Sequence, residues 1–243
     1  MNVPDLAATP SLAVTSGRSA AAPSLWIVAT LLILHQAALT LIHYIVGPAL
    51  GLDPASASLT AATIVLAALL IIGLVGLDVR RPGRTRTVLL VAPAWDRRTA
   101  ITMLVGLAIA QIPLGILALQ GATVWQSGAS SNLEVGRALV ASLSGLAGFA
   151  LLFATVIVAP MVEELLYRGY LLGTLAERGW RAGAVVVSAL LFVTLHFEAA
   201  NLIASLCLGL GTGICALRTR SVVPGLIVHV ASNAFGMWYA TLG

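Results

Sequence analysis

The sequence predicts an all-α protein, a polytopic bundle of about seven transmembrane helices. Three observations predict it. Of 243 residues, 59% are hydrophobic and only 9% are charged, whereas soluble domains run near a quarter charged. Apolar runs of about 20 residues, the length that crosses a bilayer, recur along the chain. The arginines between those runs fall on alternate connections, as the positive-inside rule asks of a multi-span protein. The chain has no lysine, so its formal net charge of +4 comes from arginine alone. Because these arginines punctuate apolar spans, membrane topology accounts for them better than a nucleic-acid partner does.

Residues 1–24 are rich in Ala, Ser, Thr and Pro without periodicity and read as a flexible cytoplasmic tail. The first apolar run, about 25–46, follows no clear basic segment and ends in no Ala-x-Ala site. It reads as a retained helix, not a signal peptide. Gly47-Pro48 closes it, and a second run covers about 59–77. The Arg-rich stretch 78–98 comes next, suited to anionic headgroups, and then a third run at about 101–120. These helices, 25–120, form an N-terminal part; residues 121–243 form the core that carries the chemistry. A fourth run at about 139–160 continues helically to about 176. The fifth, 183–197, is short and tightly linked to the sixth, 200–217, which leaves six or eight passes open. The seventh spans about 222–241.

With seven passes, three basic connections share one side. They hold Arg80, Arg81, Arg84, Arg86, Arg97 and Arg98, then Arg178 and Arg181, then Arg218 and Arg220; Arg137 is the exception. That side is expected to be cytoplasmic, with the N-terminus inside the plasma (inner) membrane and the C-terminus outside. The chain does not divide into matching halves, which weakens a secondary-transporter reading. Cys207 and Cys215 show neither disulfide nor zinc spacing and read as packing residues.

Ionisable groups inside a bilayer are costly and are functional candidates by default. From the fourth span onward they are few: Glu163, Glu164, Arg168, His196, Glu198 and His229, with the amides Asn201 and Asn233. Counting about 1.5 Å per helical residue from the nearest basic loop places Glu164 and His196 at about 21–22 Å, Asn233 at about 20 Å and His229 at about 13 Å. Three helices running in different directions thus bring polar groups to a similar depth. Glu164 and Arg168 are four apart with the acid first, the favourable order for a helical ion pair. Glu163 points about 100° away and has Tyr167, not a cation, at its own fourth neighbour. A carboxyl without a local cation suits general acid/base work. Phe192 and His196 share the four-residue spacing, as do His229 and Asn233. A carboxylate base, a histidine to hold a water and two neutral donors for an oxyanion are the parts of a peptide-hydrolysing site.

The segments "EELLYR" (Glu163, Glu164, Arg168), "FVTLH" (Phe192 to His196) and "HVASN" (His229 to Asn233) resemble the three signatures of the CPBP intramembrane protease family, which includes the type II CAAX prenyl endopeptidases and bacterial proteins linked to bacteriocin processing and immunity. The motifs stand in the family's order with no departure from its pattern, over the last third of the chain. The resemblance implies a glutamate-dependent intramembrane endopeptidase acting on membrane-associated peptides or proteins. By it, Glu163 and His196 position the attacking water, His229 and Asn233 form the oxyanion site, and Glu164, Arg168 and Phe192 support them.

Other readings stay open on the residues alone. Glu163, His196 and His229 could hold zinc with an open fourth position, although no His-Glu-x-x-His helix is present. The metal-free mechanism, with no cofactor, is the favoured one. A non-catalytic immunity or peptide-binding protein is the alternative from another class. His35 and His43, on the first helix, have no partner in sequence and read as structural. Glu198 and Asn201 are expected in the turn after His196, at the outer mouth of the cavity.

Overall fold

The computed structural model describes residues 22–119, 145–194 and 199–239. Among the described residues the chain is helical, without a strand. In order the helices are α1 (Leu25–Ala49), α2 (Ala57–Asp78), a single turn α3 (Arg84–Thr87), α4 (Arg97–Ala110), α5 (Ile112–Leu119), α6 (Leu146–Glu177), α7 (Arg181–Val193), α8 (Ala199–Thr219) and α9 (Val222–Tyr239). Helices α1, α2 and α6, and Leu202–Thr219 of α8, are long and apolar enough to cross a bilayer; α7 and Val222–Trp238 of α9 are apolar but shorter. The protein is a helical membrane bundle, and its stems follow the seven apolar runs. Residues 139–144 of the fourth run and 195–198, between the fifth and sixth, lie outside the described residues.

Local chemistry sets the helix starts. The Ser24 and Ser56 hydroxyls accept from the backbone N–H groups of Ile27 and Leu59, each at 3.3 Å. The Asp96 carboxylate accepts from Thr99 N–H at 2.8 Å and opens α4. Each cap satisfies a donor that the first turn leaves without a helical partner. Asn201, expected in a turn, lies instead in the first turn of α8.

Helix α8 is central, packed against α4, α7 and α9. Its seam with α4 is tight because Gly106 and Gly211 face each other, and a Cβ on either would run into the other's backbone. Cys215 sits in the same seam, its thiol directed at Thr102 O (3.4 Å). The outer faces of the bundle carry Ile33, Leu66, Leu69, Leu104, Leu190 and Ile203, all exposed. This is the inverse of a soluble surface and fits contact with lipid. Trp26, Trp95 and Trp180 are exposed at one end. Arg178 ties that end together by donating to Pro23 O at 3.2 Å. Tryptophans beside exposed arginines mark a membrane–water boundary.

The Arg-rich connection does more than meet headgroups. Arg80, Arg81, Arg86, Arg97 and Arg98 are exposed and can serve that role, but Arg84 is buried, its Nε 2.9 Å from Asp78 Oδ2. Tyr170 OH of α6 donates to the same carboxylate oxygen at 3.0 Å. The chain then turns inward. Val88 is fully buried, Leu89 O accepts from Val222 N at 3.0 Å, and Ser221 Oγ donates to Val91 O at 2.6 Å. Gly169 and Gly173, four apart on α6, make room for the Thr87 and Val88 backbone, against which a Cβ at either position would press. The loop thereby pins the basic ends of α6 and α9, the two helices that carry the candidate site.

Candidate functional site

The site is built on the middle of α6, where the helix is not a regular α-helix. Two stretches, Ala154–Val158 and Glu164–Leu172, are π-helical. Pro160 follows the first, and having no N–H it cannot return a bond to the turn before it. In the second, Ser188 of α7 donates its hydroxyl to Tyr167 O at 2.9 Å, so a side chain from a neighbour supplies a donor to the widened turn. π-Helical stretches are rare and concentrate at functional sites. They also advance less per residue than an α-helix, so Glu164 lies closer to the basic end of the bundle than a uniform rise suggests.

Within this stretch Glu164 and Arg168 are almost wholly buried, and Arg168 Nη1 stands 3.2 Å from Glu164 Oε1. The pair spaced four apart in sequence therefore forms. It is not closed on itself. The same Oε1 faces His229 Nδ1 of α9 at 3.0 Å, and His229 is itself buried. His229 Nε2 lies 3.6 Å from Glu163 Oε2. The imidazole thus bridges two adjacent glutamates that point to different sides of α6. Glu163 is the more accessible of the two, with 15% of its side chain exposed against 1% for Glu164.

Phe192 of α7 closes the cluster. Its ring lies under Arg168 Cζ, 4.4 Å from the centroid, and meets the His229 and Tyr167 rings edge-on at 5.7 Å and 5.5 Å. A buried guanidinium gains from a ring face because the aromatic quadrupole offsets part of its lost hydration. The other Glu164 oxygen, Oε2, has no hydrogen-bond partner among the described residues. It abuts α9 at Gly225, where a Cβ would stand 2.9 Å from it. Only a glycine lets the carboxylate approach that closely.

The structure therefore brings Glu163, Glu164, Arg168, Phe192 and His229 together. Asn233 lies one turn beyond His229 on α9, half-buried. His196 and Glu198 lie outside the described residues, so the expected Phe192–His196 pairing is outside them too. Sequence reasoning missed Gly225 and Ser188. The spacing of Gly225 four residues before His229, on one helical face, was the available signal; Ser188 had none. His35, read as structural, is buried on α1. A groove of about 580 Å³, with Leu32, Gln36, Thr40, Tyr167, Leu191 and Thr194 among its walls, runs between α1, α6 and α7.

His229 thus presents one ring nitrogen to each glutamate, Nδ1 to Glu164 and Nε2 to Glu163, while Arg168 balances the Glu164 charge. Among the described residues no three His, Cys, Asp or Glu side chains gather as a metal site. The zinc set read from sequence would need His196.

Fold and site together define a helical membrane protein with a buried acid–histidine centre on its longest helix. Residues 145–235 match the family model described as type II CAAX prenyl endopeptidase Rce1-like, which supports the resemblance to the CPBP/CAAX protease family. The matched region contains every residue of the cluster. The match supports a membrane-embedded hydrolase of the protease class. Comparisons with curated proteins and with solved structures returned no match.

Proposed function

We propose that the protein is an intramembrane endopeptidase in which Glu163 activates a water for attack on a peptide bond of a membrane-associated peptide or protein. The observation that carries this reading is the unequal environment of the two glutamates. Glu164 is engaged by Arg168 and His229 and is closed to solvent, whereas Glu163 keeps an exposed edge and, among the described residues, faces His229 Nε2. Glu163 takes a proton from water, and the hydroxide adds to the scissile carbonyl. His229, oriented through Nδ1 by Glu164, presents Nε2 toward the cavity and, with Asn233, stabilises the tetrahedral oxyanion. Glu163 then returns its proton to the departing amine. His196 is assigned to the water on the motif resemblance. Arginine-bearing loops and exposed tryptophans favour the basic end as cytoplasmic, which puts the N-terminus inside.

One observation favours a second reading, a zinc-dependent variant. The gap between His229 Nε2 and Glu163 Oε2 is longer than a hydrogen bond, and a ligating histidine commonly offers its other nitrogen to a carboxylate, as Nδ1 does here. These two groups would hold the ion, which would supply Lewis-acid polarisation of the carbonyl. The third ligand of the zinc set would be His196, which lies outside the described residues; the metal-free mechanism stands first because no His-Glu-x-x-His helix is present.

The test is cleavage of a membrane-peptide library by the purified, detergent-solubilised protein beside Glu163→Gln, with and without a strong chelator. Loss of cleavage by about 100-fold or more in a variant that still inserts supports the mechanism. Wild-type rates from Glu163→Gln overturn it, and loss with chelator that zinc restores selects the metal variant.

A further inference from the structure

Residues 103–119, most of the third apolar run, carry a single amide side chain, that of Gln111, among apolar neighbours. It stands where the helix breaks. The Gln111 N–H still donates to Leu107 O at 2.9 Å, but α4 ends at Ala110 and α5 restarts at Ile112, followed by Pro113, which has no N–H to continue the ladder. The amide reaches across to α9, its Nε2 donating to Ser232 Oγ at 2.8 Å. Its Oε1 is closed to solvent and has no hydrogen-bond partner among the described residues. An amide inside a span is costly, and more so with an orphaned acceptor. A leucine would fill the place without that penalty, so the bond to α9 is what distinguishes the glutamine. Ser232 immediately precedes Asn233 and follows His229 by three residues. With about 100° of rotation per residue, it stands on the flank of the stripe that His229 and Asn233 form. Helix α9 packs against both α4 and α6. The stripe is turned to the glutamates through His229, and the flank is turned to Gln111. Helix α4 is a fixed wall here, because Gly106, five residues before Gln111, seats it on α8 with no room for a Cβ.

We propose that Gln111 is a positioning residue for Asn233, acting through Ser232 to set the rotation of α9 about its axis. This inference rests on Asn233 being an oxyanion donor. Such a donor works only when its N–H is aimed beforehand at the place where charge develops. Rolling α9 would swing Asn233 off that line while leaving the helix itself intact. Glu164 holds α9 from the α6 side at His229, and Gln111 holds it from the α4 side at Ser232. The helix is thus clamped at two points one turn apart, on different sides, which fixes its roll as well as its place. Gln111 stands outside the region 145–235 that matches the family model. Through it the N-terminal helices take part in aligning the site.

Gln111→Leu removes the donor of this bond and Ser232→Ala the acceptor. In a double-mutant cycle of the two, the thermal midpoint of the purified full chain is expected to be non-additive by about 2 °C or more. In cleavage assays well below every midpoint, each single variant is expected to lower kcat about 10-fold with KM within about twofold, since a misaimed donor weakens only the transition state. Ser232→Thr, which keeps the hydroxyl, is expected to recover most of the rate. Leu104→Ala, on the lipid-facing side of α4, is expected to leave it unchanged. In an Asn233→Ala background, Gln111→Leu is expected to lower kcat by no more than about twofold further, because the residue it positions is gone. Additive midpoints overturn the proposal whatever the activity. So does coupling with wild-type kcat in the single variants, or an undiminished loss in the Asn233→Ala background. Wild-type kcat in Asn233→Ala itself overturns the oxyanion reading and this inference with it. Coupled midpoints in a wild-type protein that cleaves nothing leave the tie between α4 and α9 and overturn the protease reading instead.

Discussion

Gly225→Ala would place a Cβ 2.9 Å from Glu164 Oε2 and 3.1 Å from Thr212 O, against ordinary carbon–oxygen contacts of about 3.3 Å or more. Something has to give by a few tenths of an ångström. The Thr212 carbonyl belongs to the backbone of α8 and resists. The carboxylate is the softer neighbour, but its other oxygen is held between Arg168 Nη1 at 3.2 Å and His229 Nδ1 at 3.0 Å. Moving Oε2 away from α9 therefore rotates Oε1 out of line with the imidazole. Overpacking costs about 1–3 kcal/mol, and replacing a helical glycine by alanine returns about 0.5–1 kcal/mol. The thermal midpoint should accordingly fall only modestly. Activity should fall further. A hydrogen bond to a charged group contributes about 1.5–3 kcal/mol, and losing it from the residue that orients His229 corresponds to a kcat lower by about 10- to 100-fold. The assay is steady-state cleavage with Gly236→Ala as the control, since Gly236 lies on the same helix with open space around it. Wild-type kcat in Gly225→Ala would refute the argument that Glu164 positions His229.

Two further perturbations separate architecture from chemistry. Tyr170→Phe removes the hydroxyl that donates to Asp78 at the basic end of α6, two turns from Glu163; stability should drop by about 1.5–3 kcal/mol, seen as a lower thermal midpoint, with kcat unchanged. At the start of α4, the Thr99 N–H holds the Asp96 carboxyl below the ordinary carboxylate range. The stabilisation from this cap is present above the ordinary pKa and is lost as pH falls through the lowered folded value. Asp96→Ala should therefore lower the thermal midpoint at neutral pH, and the gap from wild type should close in strong acid.

Much of this protein is legible in its sequence because membrane and helix impose short-range rules. Apolar runs have to be helical, since lipid offers the backbone no partner, and the stems follow those runs closely. Glu164 and Arg168 pair because four residues bring side chains to one helical face. The candidate site residues also stand within three short motifs. Packing decided the rest. That His229 joins both glutamates, 65 residues away from Glu164, depends on Gly225 admitting the carboxylate. The π-helical stretch around Glu164 receives a hydrogen bond from a serine of another helix. Arg84 reads as one more loop cation until Asp78 and Tyr170 bury it. The physical reason is the same throughout. Periodicity records which face of a helix a residue occupies, and only the bundle decides what stands opposite that face.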